Sequence, residues 1–213
     1  IKNKKGGIQM LSYETIEPRT LDLLKALMQE PAFADMRLVG GTALALQYGH
    51  RQSIDLDFFG DFRCEQEETQ EILSKYGKVE VLKETQRIRI YSVDGIKVDF
   101  VYYSCYPWLA EIVLEDGIRL ASTKDIAAMK INAIEGRGTR KDFVDIYFLL
   151  QHYSLKEILE FYKAKYPNYS DFRALMSLTY FEDAEVQPMP KMFDSTTWSD
   201  MQNVIISKVR QLQ

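Results

Sequence analysis

The sequence predicts an α+β fold, a mixed β-sheet flanked by helices and followed by a C-terminal helical bundle. Three observations lead there. Strand-like runs recur between residues 36 and 103, interrupted by two helical stretches. Asp94-Gly95 separates two of those runs, which is a hairpin signal. From Ser122 onward the apolar spacing turns helical.

The elements follow in order. Residues 19–30 place Leu21, Leu24, Leu27 and Met28 at helical spacing. Residues 36–40 read as a short strand, 41–49 as a short helix and 53–59 as a strand. Residues 65–77 form an amphipathic helix that Gly77 is placed to end. Three strands are expected at 78–84, 87–93 and 96–103. Residues 107–122 read equally as a helix or as strand pieces. Ser122 and Asp125 then have the spacing of a capping box, which opens a helix. Further helical stretches follow, and the loop "EVQPMPKMFD" precedes the last of them.

Composition narrows the function. The chain has 213 residues, 46% of them hydrophobic, enough to bury a core. The net charge of −4 offers no global attraction to nucleic acid, so such a site must be a local patch. Two cysteines, Cys64 and Cys105, and two histidines have no metal-ligand spacing and make no disulfide scaffold. With no long apolar run and no signal pattern, the expectation is a cytoplasmic protein with no membrane partner. Residues 1–9 carry no hydrophobic pattern and are expected to be a tag or flexible leader, with Met10 as the natural start.

The chemical signal lies in "GGTALALQYGHRQSIDLDFF", from Gly40 to Phe59. In a strand, Asp55 and Asp57 point to one face and Leu56 and Phe58 to the other. Asp99 occupies the same phase in a later strand. If the strands lie side by side, three carboxylates converge. Two such charges about 4 Å apart repel by about 4 kcal/mol at an effective dielectric near 20. A divalent cation relieves that, and oxygen ligands suit Mg²⁺ or Mn²⁺. Gly40, Gly41 and Thr42 form a strand-to-helix turn whose free N–H groups suit a phosphate. Arg51 and Ser53 are further candidate phosphate contacts.

The order of these features resembles the nucleotidyltransferase superfamily related to DNA polymerase beta. With "KINAI" and "RKDFVDIYFLL" added, the chain is similar to the AbiEii/AbiGii toxin family between Met10 and about residue 150. The resemblance implies a catalytic domain over 10–121 and a helical domain over 122–213. By position, Gly41 and Thr42 match the phosphate-holding glycine and hydroxyl, and Asp55 and Asp57 the metal pair. Asp99 matches the third carboxylate, as metal ligand or base. Lys130 matches the motif lysine, a triphosphate contact, and Asp142 the acid of the last motif. The implied reaction moves an NMP from an NTP to a hydroxyl, with RNA and in particular a tRNA 3′ end as acceptor. A protein or small-molecule acceptor is the alternative, as is a non-catalytic nucleotide-binding module. The family also implies a toxin role with an antitoxin or neighbour-encoded regulator.

Competing structural roles stand beside these. Asp99 has Arg87 or Arg89 as possible ion-pair partners, and Lys130 could lie on the helix surface. Asp142 suits a first helical turn in any case. Asp145 reads as structural, paired with Arg140 or Lys141. His50 reads as a helix C-terminal residue. The stretch "EGRGTRKD" (135–142) is either a basic RNA-contacting loop or a solvated turn.

Overall fold

A computed structural model describes residues 10–212; the expected leader 1–9 lies outside them. The elements in chain order are α1 (Pro18–Gln29), β1 (Arg37–Leu38), α2 (Gly40–Tyr48), β2 (Leu56–Gly60), α3 (Gln66–Ser74), β3 (Val79–Glu84), β4 (Ile88–Val93) and β5 (Ile96–Tyr102). Then come β6 (Val113–Glu115), β7 (Ile118–Leu120), α4 (Thr123–Gly136), α5 (Arg140–Leu149), α6 (Leu155–Lys165), α7 (Asp171–Ser177), α8 (Glu182–Glu185) and α9 (Trp198–Arg210).

The seven strands form one mixed sheet in the order β3-β4-β5-β2-β1-β7-β6. β2 and β5 are parallel neighbours near its centre, while β3, β4 and β5 form an antiparallel meander. Asp94 and Gly95 both take positive φ, as the β4–β5 turn demands. The ambiguous stretch 107–122 resolves as strand pieces. Asp116-Gly117, also at positive φ, turns β6 back on β7. Its strands are only three residues long, too short for their alternation to stand out. Gly77 does not cap α3 directly, because the helix ends at Ser74 with Lys75 as its C-cap.

Alternation sorts the central strands. Leu56, Phe58, Val98, Phe100 and Tyr91 are buried on one face, where Phe33 stacks on Phe100. The opposite face carries Asp57, Phe59, Asp99 and Val101 and lies open toward α4. The helices from α4 onward join the same hydrophobic core through Ile126, Ile131, Phe143 and Ile146. α4 begins as expected. The Ser122 hydroxyl accepts from the Asp125 N–H and donates to the Asp125 carboxylate, and Lys165 completes that buried knot at 2.8 Å. Lys165 is wholly buried, with its ammonium over the Tyr103 and Trp108 rings. Nothing in its sequence neighbourhood marks it as interior. No described helix is long and apolar enough to cross a membrane.

Candidate active site

Backbone pairing builds the site first. In the β2–β5 ladder Asp57 lies directly opposite Asp99. The Asp57 peptide also closes the turn before α2, since its carbonyl accepts from the Val39 N–H at 2.8 Å. The next residue, Gly40, has φ +68°, and a Cβ there would lie 2.4 Å from the Asp57 carboxylate. Glycine is required twice over, by the dihedral and by the carboxylate packed against it. Gly41 is crowded from the other side, where a Cβ would meet the Arg51 guanidinium at 2.0 Å.

The expected convergence of three carboxylates forms only in part. Asp57 and Asp99 are adjacent. β2 starts at Leu56, however, so Asp55 stands just before the strand, with its carbonyl accepting from the Thr42 hydroxyl. Its carboxylate pairs with Lys141 at 3.4 Å. Among the described residues, no group of three or more His, Cys, Asp or Glu side chains is gathered so as to hold a metal ion. Asp99 pairs neither with Arg87 nor with Arg89. Its two oxygens accept from Lys97 at 2.6 and 2.5 Å. Lys97 shares the face of Asp99 two residues earlier in the strand, so the alternation itself held that signal. Arg89 turns to the opposite face, onto Cys64, Glu65 and Thr69.

Asp57 is the unpartnered carboxylate of the site. Among the described residues no hydrogen bond reaches its carboxylate. Burial, then the charges of Asp99 and Asp55, push its pKa up to about 6. An unpaired carboxylate opposite a second one offers hard oxygen donors of the kind a divalent cation takes. By donor chemistry Asp57 and Asp99, with Asp55 beside them, fit Mg²⁺ or Mn²⁺.

Beneath this face lies a buried ionic cluster centred on Asp145. Its carboxylate accepts from Arg51 Nε at 2.7 Å and Nη2 at 3.0 Å, lies 2.8 Å from His50 Nε2, and is 2.6 Å from Lys130 Nζ. Lys130 also donates to Asp142 at 2.9 Å. Asp142 accepts from Arg137 and Thr139 as well. Burial works against both carboxylates, but their cations more than reverse it and hold both well below the usual range. Arg51 and Lys130 are thus interior residues engaged by aspartates. Asp145 pairs with Arg51, His50 and Lys130, not with Arg140 or Lys141.

The basic loop is likewise committed inward. Arg140 donates to the carbonyls of Ala184 and Glu185. Arg137 keeps a largely exposed side chain while gripping Asp142. Thr42 and Ser53 are both buried, with hydroxyls 2.9 Å apart.

Two grooves meet at the acidic strand. A cleft of about 360 Å³ between the sheet and α4 contains Gly40, Asp57, Asp99, Lys130 and Arg137. A second, of about 370 Å³, lies beyond Asp55, walled by Ser53, Lys141 and the loop 187–191. That loop is tied to the site by backbone, since Gln52 N–H donates to the Lys191 carbonyl and Phe193 N–H to that of His50. The first cleft holds Asp57 and Asp99 and the second holds Asp55, so the acidic residues face two compartments, an arrangement that suits a reaction between two substrates.

A family model described as nucleotidyl transferase AbiEii toxin, Type IV TA system, matches residues 22–210. The chain belongs to the AbiEii family. The AbiEii match continues through the helices beyond residue 150, where the sequence resemblance had faded to helical character. A relative from Aquifex aeolicus (strain VF5), the uncharacterized protein aq_aa25, is 36% identical over 188 residues, or 83% of this chain and 87% of that one. MenT4, a nucleotidyltransferase toxin of Mycobacterium tuberculosis H37Rv, has a similar structure at a TM-score of 0.53. The match covers 92% of this chain and 87% of MenT4 at 16% identity. The antibiotic-resistance factor ANT(2'')-Ia matches at a TM-score of 0.51 and 14% identity, over 68% of this chain and 91% of its own. These likenesses speak for the fold, which is the α+β nucleotidyltransferase fold. As an AbiEii protein the chain is a toxin-type nucleotidyltransferase that uses nucleoside triphosphates.

Proposed function

We propose that this chain moves an NMP from an NTP to a hydroxyl at an RNA 3′ end, tRNA in particular, and that it does so with Mg²⁺ or Mn²⁺. The observation that carries the reading is Asp57, an unpartnered carboxylate opposite Asp99 at the edge of a cleft that also holds the start of α2. Asp55 and Asp57 would hold the cation, which supplies charge neutralisation at the triphosphate and acidifies an attacking hydroxyl.

The chain's own groups do the rest. The N–H groups opening α2 face phosphate oxygens, favoured by the helix dipole. Lys97 and Lys141, each on a site carboxylate, offer ammonium groups for phosphates once those carboxylates are otherwise engaged. Asp99 takes the proton of the acceptor hydroxyl. That oxygen bonds to the α-phosphorus, the bond from the α-phosphorus to the bridging oxygen breaks, and pyrophosphate leaves with the electron pair. The ionic cluster on Asp145 positions these groups without touching substrate. A toxin role and a neighbour-encoded antitoxin or regulator complete the reading, with action in the cytoplasm.

The test incubates the protein with total bacterial RNA, Mg²⁺ and each α-labelled triphosphate in turn, with Asp57→Ala as control. Label is expected on a discrete RNA band and should vanish with the variant. Label on protein instead moves the acceptor to a polypeptide. Silence in both, with nucleotide still bound, leaves a binding module.

A further inference from the structure

We infer that the cleft between the sheet and α4 is the pocket for the base of the incoming triphosphate, and that Asn132 is the residue that reads it. The inference rests on the nucleotidyltransferase reading above and goes beyond it by naming where base choice is made. Three features carry it.

The first is shape. The cleft's volume, about 360 Å³, falls within the range of small-molecule sites, and its lining includes Asp57 and Gly40, where phosphates are expected. A nucleotide whose phosphates lie at that end projects its base along the cleft. The second is the walls. Phe59, Val101 and Tyr106 line one side and Met129 and Ala133 the other, all half-buried. Aromatic and thioether surfaces that are not fully covered by protein are what a flat base packs against. Tyr106 is held by its ring contacts with Tyr103 and Tyr166, at centroid distances of 5.1 and 5.0 Å. Its ring is therefore fixed before any ligand arrives.

The third is Asn132. It lies on α4 two residues after Lys130 and lines the cleft. Apart from Asp57, at the phosphate end, the other polar side chains there are engaged. Lys130 and Arg137 are tied to aspartates, Asp99 to Lys97, and Tyr103 hydrogen-bonds Tyr166. Among the described residues nothing hydrogen-bonds the Asn132 amide. A side-chain amide offers one donor and one acceptor edge, the pattern that reads a base edge in two contacts. A carboxylate in its place only accepts, which suits guanine's adjacent N1–H and N2–H donors.

The test measures binding of ATP, CTP, GTP and UTP by titration calorimetry in Mg²⁺ to the wild type, Asn132→Ala and Asn132→Asp. Thermal midpoints of all three serve as the check on folding. The wild type is expected to prefer one base. In Asn132→Ala the ratio between best and worst nucleotide should shrink by about tenfold. In Asn132→Asp the ranking should shift toward GTP. Identical rankings in all three proteins, or no preference in the wild type, overturn the assignment and leave the transferase reading standing. Failure of the wild type to bind any of the four overturns both readings.

Discussion

Asp57→Asn is expected to make the metal-free protein more stable at pH 8 while abolishing nucleotidyl transfer. The Asp57 carboxyl titrates at about 6 in the folded chain, against an ordinary 3.8. A raised carboxyl pKa means that folding favours the protonated form. The penalty is absent below about pH 4, grows as pH rises through the folded pKa, and is complete above about pH 7. Asparagine removes it, because the amide carries no charge to repel Asp99 and Asp55. The gain at pH 8 is about 3 kcal/mol, which for a chain of this size raises the thermal midpoint by about 9 °C. At pH 4 the two proteins should melt together. Added Mg²⁺ should raise the midpoint of the wild type and leave that of the variant where it was. Melting curves at pH 4, 6 and 8 with and without Mg²⁺ check all of this. A variant less stable than the wild type at pH 8 would show that Asp57 is held by a partner and is not a strained ligand.

Asp145→Ala carries the opposite sign and is the largest destabilisation expected in the molecule. Removing the carboxylate strips Arg51 of two hydrogen bonds and Lys130 of its 2.6 Å partner, both in the interior. Breaking a buried pair by removing one partner costs about 3–5 kcal/mol, because the other charge stays buried. Asp142 hydrogen-bonds Lys130 but not Arg51. Acid should mimic the substitution. Asp142 and Asp145 have folded pKa values held below their ordinary ones, so their stabilisation is present above about pH 4 and is lost as pH falls further. Urea titrations of wild type and variant at pH 7 and pH 3.5 test both statements. The difference should be large at pH 7 and smaller at pH 3.5. A variant within 1 kcal/mol of the wild type at pH 7 would rule out the cluster as a structural keystone.

These residues also mark what could be read from the sequence. Asp57 and Asp99 were legible because strand alternation is local and the acids stood out against apolar neighbours. The β4–β5 turn was legible because Asp-Gly leaves few conformations open. The roles of Arg51 and Lys130 were not, since phosphate ligand and ion-pair member ask for the same charge at the same place. Only the position of Asp145, delivered by α5 from far along the chain, decides where those two cations point. Asp55 differed from expectation by a single step of backbone, because Thr42 captures its carbonyl ahead of the strand. Asn132 stood in the sequence only as a letter of the "KINAI" motif, with no role attached to it. A lone asparagine on a helix acquires meaning only when the cleft in front of it is known.

The parallel pairing of β2 with β5 has a kinetic consequence. The hairpins β3–β4 and β4–β5 join sequence neighbours and can form early. The ladder that sets Asp57 against Asp99 must close a loop spanning α3 and the whole meander, and such long-range parallel contacts form slowly. During refolding, triphosphate binding should therefore appear after most of the circular-dichroism signal has returned. A chain still emerging from the ribosome holds the two halves of its acidic pair apart, so a toxin of this design stays inert toward the cell that is making it until that ladder shuts.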